Sequence, residues 1–134
     1  MSSEFQAVFD RLRSLLQRNA GGLTAQAERP GYFCLEAFAG PKLAEMGHSR
    51  AGRTIPTAWV QVAKTYVSYH LMPVYGCPQL LDGVSPRLKA RMQGKSCFNF
   101  KEVDEALFAE LEALTVRGFA AFKKSGFAAA GPAR

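Results

Sequence analysis

The first apolar positions, Phe5, Val8, Phe9, Leu12, Leu15 and Leu16, recur at intervals of three and four and so line one face of a helix. Ser2 or Ser3 is suited to cap it and Gly21-Gly22 to end it, because glycine accepts the left-handed backbone of a helix exit. Pro30-Gly31 then breaks the chain before Tyr32–Phe38, an aromatic-rich run that reads as a strand. Gly40–Pro56 is polar and glycine-rich. It reads as a long loop with one helical turn at Lys42–Met46, and loops of this kind often carry function.

Thr57–Met72 carries the clearest β pattern. With Lys64-Thr65 as a two-residue turn, Ala63 pairs with Tyr66, Val62 with Val67, Gln61 with Ser68, Val60 with Tyr69 and Trp59 with His70. That register puts Val60, Val62, Val67, Tyr69 and Leu71 on one face. Trp59, Gln61, Ala63, Ser68 and His70 fall on the other, as expected of a sheet that helices cover on one side only.

Pro73, Gly76, Pro78 and Asp82-Gly83 then mark loop. Ser85-Pro86 opens a short helix through Gln93, with Gly94 as its exit, and Ser96–Phe100 alternates as a strand. Asp104 caps a final helix whose stripe is Leu107, Phe108, Leu111, Leu114, Thr115, Phe119 and Phe122. From Ser125 the sequence predicts a fraying tail. The expected fold is α+β: about four strands, mostly antiparallel, with the N- and C-terminal helices packed on one face. Residues 1–124 form a single domain and 125–134 the tail.

Composition narrows the class. At 134 residues and 48% hydrophobic, the chain is of single-domain size and of ordinary globular make-up. No apolar run reaches the length of a membrane helix, and Glu4 and Asp10 interrupt the N-terminus where a signal peptide is apolar. The odd count of three cysteines, at no metal-ligand spacing, fits free thiols in a reducing compartment. The expected location is cytoplasmic, with no membrane partner. The net charge of +6 is concentrated in the middle, where nine basic residues between Lys42 and Lys101 face only Glu45 and Asp82. Such a segment attracts anionic ligands or simply forms a solvated face.

From Tyr69 to Phe119 the landmarks are Met72-Pro73, Ser85-Pro86-x-Leu88 and Gly94-Lys95-Ser96-Cys97-Phe98-Asn99-Phe100, followed by an acidic helix start. This half of the chain resembles the YdhG-like domain-of-unknown-function family of bacteria; the first seventy residues are similar in the order of elements only. The resemblance implies a compact α+β domain of frataxin-like shape, most of whose relatives have no established biochemical role. One relative is assigned as a frataxin-like intracellular iron chaperone, so an iron site is an alternative expectation. Frataxins hold iron on an acidic ridge of the first helix, and here that helix offers only Glu4 and Asp10 beside Arg11, Arg13 and Arg18. Under this alternative the carboxylates of Glu102, Glu105 and Glu112 would have to substitute.

The residues themselves point to binding on the open sheet face. Trp59 offers stacking, His70 a polar and pH-sensitive contact, Gln61 and Ser68 hydrogen bonds, and Arg53 or Lys95 an anionic handle. The plainer reading of His70 is a hydrogen-bonded, partly buried histidine. Cys97 near Lys95 is a candidate for a lowered thiol pKa, or a small buried hydrophobe. Gly94-Lys95-Ser96 follows a helix and lacks the upstream glycine of a phosphate loop, so it is not one. Basic Arg50, Arg53, Arg87, Arg91, Lys95 and Lys101, with Trp59 and Tyr66, leave single-stranded nucleic acid as a further alternative. No catalytic constellation is legible and no cofactor is expected apart from iron under its alternative. The expected function is a non-catalytic module for an unknown small molecule or protein partner.

Overall fold

The computed structural model describes residues 2–48 and 53–129. Helix α1 (Ser3–Arg18) is capped by the Ser2 hydroxyl, which accepts from the Phe5 amide at 3.0 Å. Strands β1 (Thr24–Arg29), β2 (Tyr32–Ala39), β3 (Thr54–Val62), β4 (Val67–Leu71) and β5 (Cys97–Phe100) follow one another as an antiparallel meander. A short α2 (Pro41–Glu45) separates β2 from β3. Between β4 and β5 lie α3 (Met72–Gly76), a 3-10 turn (Pro78–Leu81) and α4 (Pro86–Lys89). Helix α5 (Glu105–Lys124) starts at Asp104, whose carboxylate accepts from the Leu107 amide at 3.1 Å. Among the described residues no helix is long and apolar enough to cross a membrane.

The hairpin forms in the expected register, from Ala58 opposite Leu71 to Val62 opposite Val67. Its core face is buried with the stripes of both long helices: Val60, Val67, Tyr69 and Leu71 cluster with Val8, Leu12 and Leu15 of α1 and Leu107, Leu111 and Leu114 of α5. The Tyr69 hydroxyl is fully buried there and pairs with Thr115 Oγ1 at 2.7 Å. Thr115 in turn donates to the Leu111 carbonyl at 2.8 Å, so Tyr69 is the donor of its own bond.

The sheet is wider than the four strands expected. β1 lies at an edge, and a sixth strand, β6 (Ala128–Ala129), pairs with the end of β2. The tail is therefore ordered through residue 129, against the expectation of fraying; residues 130–134 lie outside the described residues. The cause is a glycine exit from α5. Gly126 takes a positive φ of 83°, its amide bonds to Lys123 O at 3.1 Å and the Phe127 amide to Phe122 O at 3.1 Å. That pattern turns the chain back on the helix and brings Phe127 onto Phe122, with ring centroids 5.3 Å apart. Gly40 completes the dock: its amide donates to Phe127 O at 2.9 Å, and a Cβ there would collide with the Gly126 carbonyl.

The 40–56 segment is shorter as a loop than expected. α2 occupies its start and β3 begins at Thr54, not Thr57; Arg50 lies outside the described residues. Strand formation across Pro56 is possible because a bulge there leaves Thr57 without a partner on β2. The Thr57 hydroxyl fills the gap, accepting from the Ala37 amide and donating to Ile55 O, both at 3.1 Å. The helix expected through Gln93 stops at Lys89, because Met92 leaves it to bridge Phe98.

Candidate functional site

Strand registers set the outward face as a grid. Cys34, Trp59, His70 and Cys97 stand opposite one another across β2, β3, β4 and β5, and Tyr32, Gln61, Ser68 and Asn99 form the next row. Because side chains alternate, these residues point away from the core that α1 and α5 cover. Trp59 and His70 stack with centroids 4.6 Å apart and planes 11° from parallel. Both rings are partly exposed.

Small polar groups surround the imidazole. Its Nε2 lies 3.2 Å from Ser68 Oγ and 3.8 Å from Cys97 Sγ, and these are its hydrogen-bond partners among the described residues. The Cys97 thiol donates to Asn99 Oδ1 at 3.4 Å, and Asn99 Nδ2 in turn donates to Gln93 Oε1 at 2.6 Å. Burial pushes the His70 pKa below the ordinary histidine value and the Cys97 thiol pKa above its own. The pair is thus neutral imidazole beside neutral thiol. That combination offers stacking and hydrogen bonding, not a thiolate nucleophile.

Of the residues expected at the site, Trp59, Gln61, Ser68 and His70 come together on this face. Arg53 does not. It precedes β3 by one residue, six positions before Trp59, which at about 3.3 Å per residue is about 20 Å along the strand. Lys95 sits at the margin, its ammonium 5.8 Å from the centre of the Tyr75 ring. The thiol effect weighed for Lys95 on Cys97 is absent; burial governs that pKa.

The carboxylates weighed for iron are dispersed among cations. Glu105 pairs with Arg11 of α1. Glu112 accepts from Arg18 Nε at 2.9 Å and from Asn19 Nδ2 at 2.6 Å, which holds its pKa below the usual carboxylate value. Glu102 lines a hollow of about 480 Å3 with Arg87, Arg91 and Lys101. Among the described residues no three acidic, histidine or cysteine side chains are grouped to hold a metal ion.

The sequence reading did not find a second, apolar hollow that opens beside Trp59. β3 has nine residues and β4 five, so the first residues of β3 run past the end of β4. α3, α2 and the returning tail wall off the resulting space of about 320 Å3, lined by Met46, Pro56, Trp59, Tyr75, Phe122 and Phe127 among others. Met46 and Tyr75 remain 59% and 58% exposed and lie together at this hollow. Large apolar residues in the segments 40–47 and 72–77, which also carry glycine and proline, were the available sequence signal. No protein-family model, curated protein or solved structure matches the chain.

Proposed function

We propose that the protein is a YdhG-like, non-catalytic binding module that takes a small ligand on the outward face of its sheet, at Trp59 and His70. The observation that carries this is the parallel stack of the two rings at 4.6 Å, partly exposed on a rigid sheet and fringed by Ser68, Cys97 and Asn99. Aromatic and apolar surface with a few fixed polar groups is the usual lining of a ligand site.

The family motif supports a scaffold role for the residues that carry it. Ser85 Oγ accepts from the Leu88 amide at 3.2 Å, Leu88 and Phe98 are fully buried, and Gly94 takes a φ of 79°. These are positions a fold needs, and none of them presents chemistry to solvent. Binding fits the site better than catalysis for a similar reason: the imidazole has a hydroxyl and a neutral thiol for partners, and no carboxylate among the described residues orients it as a base.

The test is a thermal-unfolding screen against metabolites, nucleotides, short single-stranded oligonucleotides and, anaerobically, ferrous iron. A ligand present at a hundred times its Kd adds about 2.7 kcal/mol to the folded state. The expected result is a shift with an organic compound that disappears in the Trp59→Ala, His70→Ala double variant. A shift that survives in that variant overturns the site. Stabilisation by iron alone would favour the chaperone alternative, and an oligonucleotide affinity that falls steeply with salt would favour nucleic acid.

A further inference from the structure

The geometry points to the ligand class: an amphiphilic anion, whose apolar body fills the hollow beside Trp59 and whose charged end lies at Lys95. This rests on the binding role proposed for the Trp59 face. The hollow adds what that face lacks, a concave apolar space, and Trp59 is the one side chain that belongs to both. Its volume of about 320 Å3 lies at the small end of the range for ligand pockets, about 300–1,000 Å3.

The walls are aromatic and aliphatic: Phe122 stacked on Phe127, Tyr75 opposite, Pro56 and Trp59 along β3, and Met46 at the mouth. Methionine adapts its shape to an irregular apolar guest. The Lys95 ammonium lies 5.8 Å from the centre of the Tyr75 ring, which is one of those walls. His48 and Tyr75 are the titratable side chains among the described residues that line the hollow itself. The carboxylate on the adjoining strand, Glu36, accepts from Thr54 Oγ1 at 2.6 Å. An ammonium beside an apolar space favours a negatively charged head over a neutral or positive one.

Gly76 supplies a specific probe. It lines the hollow, and a Cβ built there would meet Phe127 and Phe122 at 3.4 and 3.5 Å, ordinary contact distances. Gly76→Leu therefore places a side chain where the guest's body would lie. The experiment titrates decanoate, decanol and decylamine, below micelle-forming concentrations, against the fluorescence of Trp59, the chain's single tryptophan. Shorter alkanoates are run alongside.

Decanoate should bind saturably and more tightly than the alcohol or the amine. Affinity should rise by about fourfold per methylene across the series until the hollow is full. Gly76→Leu should weaken decanoate by more than about tenfold, the loss of two or more buried methylenes. Lys95→Met should weaken it by up to about fivefold and leave decanol unchanged, with Lys95→Arg restoring the difference. If Gly76→Leu does not fold, Met46→Glu at the exposed mouth replaces it, with the same expected direction.

Equal binding of all three head groups overturns the anionic assignment. Undiminished decanoate binding in Gly76→Leu, or no binding in the wild type, overturns the hollow. His70→Gln separates this inference from the reading beneath it. Loss of decanoate binding in His70→Gln with retention in Gly76→Leu leaves the outward face standing without the hollow. Loss in Gly76→Leu alone assigns the guest to the hollow and not to the stack.

Discussion

The indole of Trp59 lies on the imidazole of His70 with 4.6 Å between centroids, and each comes from a different strand of one hairpin. The pair is directly opposite in the antiparallel ladder, where side chains approach most closely. An aromatic and a titratable ring are thereby fixed in register by backbone hydrogen bonds, with no loop to order on binding. Since the chain has one tryptophan, its emission reports on this contact.

Protonation of His70 should therefore be visible in the fluorescence of Trp59. Burial disfavours the imidazolium, so the titration should have its midpoint below about 6.5, the unperturbed histidine value. In His70→Gln that transition should vanish. A midpoint above the unperturbed value would contradict the burial described.

The same group gives stability a pH dependence. The unfolded chain takes up a proton on this histidine that the folded chain resists, so stability should fall as pH drops below about 6.5 and level off below the folded-state pKa. Urea midpoints measured across this range for the wild type and His70→Gln should diverge on the acid side. The variant should show the smaller loss, with His48 common to both.

The buried Tyr69–Thr115 pair should respond asymmetrically to deletion. Tyr69→Phe removes a hydroxyl and leaves Thr115 bonded to Leu111 O, for a loss of about 0.5–1.5 kcal/mol. Thr115→Val strands the Tyr69 hydroxyl in the core without an acceptor and should cost about 1–3 kcal/mol. Denaturant unfolding of the two variants decides the order.

Gly40 should be intolerant of any side chain. Gly40→Ala places a methyl group against the Gly126 carbonyl, and the backbone must move to relieve it. A loss of about 1–3 kcal/mol is expected. Hydrogen exchange should speed up at the Gly40 and Lys42 amides, which bond to Phe127 O and Gly126 O. An unchanged exchange rate would contradict a dock that depends on the absent side chain of Gly40.

Much of the scaffold was legible because it rests on local periodicity. The three-four spacing from Phe5 to Leu16 gives α1, and the two-residue alternation around Lys64-Thr65 gives the hairpin to the residue. What escaped lacks such a signal. β1, with the sequence Thr-Ala-Gln-Ala-Glu-Arg, has no apolar alternation and is held by its pairing with β2. β6 is two alanines whose place is set by the Gly126 exit and by the missing side chain of Gly40, more than eighty residues away.

The candidate site divides along the same line. Trp59, Gln61, Ser68 and His70 follow from one hairpin register, so they were readable together. Cys97 and Asn99 join them only through the pairing of β4 with β5, across the 72–96 connection. The hollow draws on α2, β3, α3 and the end of α5, elements far apart in the chain, and no spacing rule brings them together. Arg53 was misplaced because charge was read without the length of the strand that follows it.

The most direct test of the outward face is a map of backbone and side-chain NMR shifts on adding the first compound that raises the unfolding temperature. The largest changes should centre on the Trp59 indole N–H, His70, Ser68 and Cys97. Changes centred on Arg91 and Lys101, or on the carboxylates of α5, with the Trp59 indole unmoved, would contradict it.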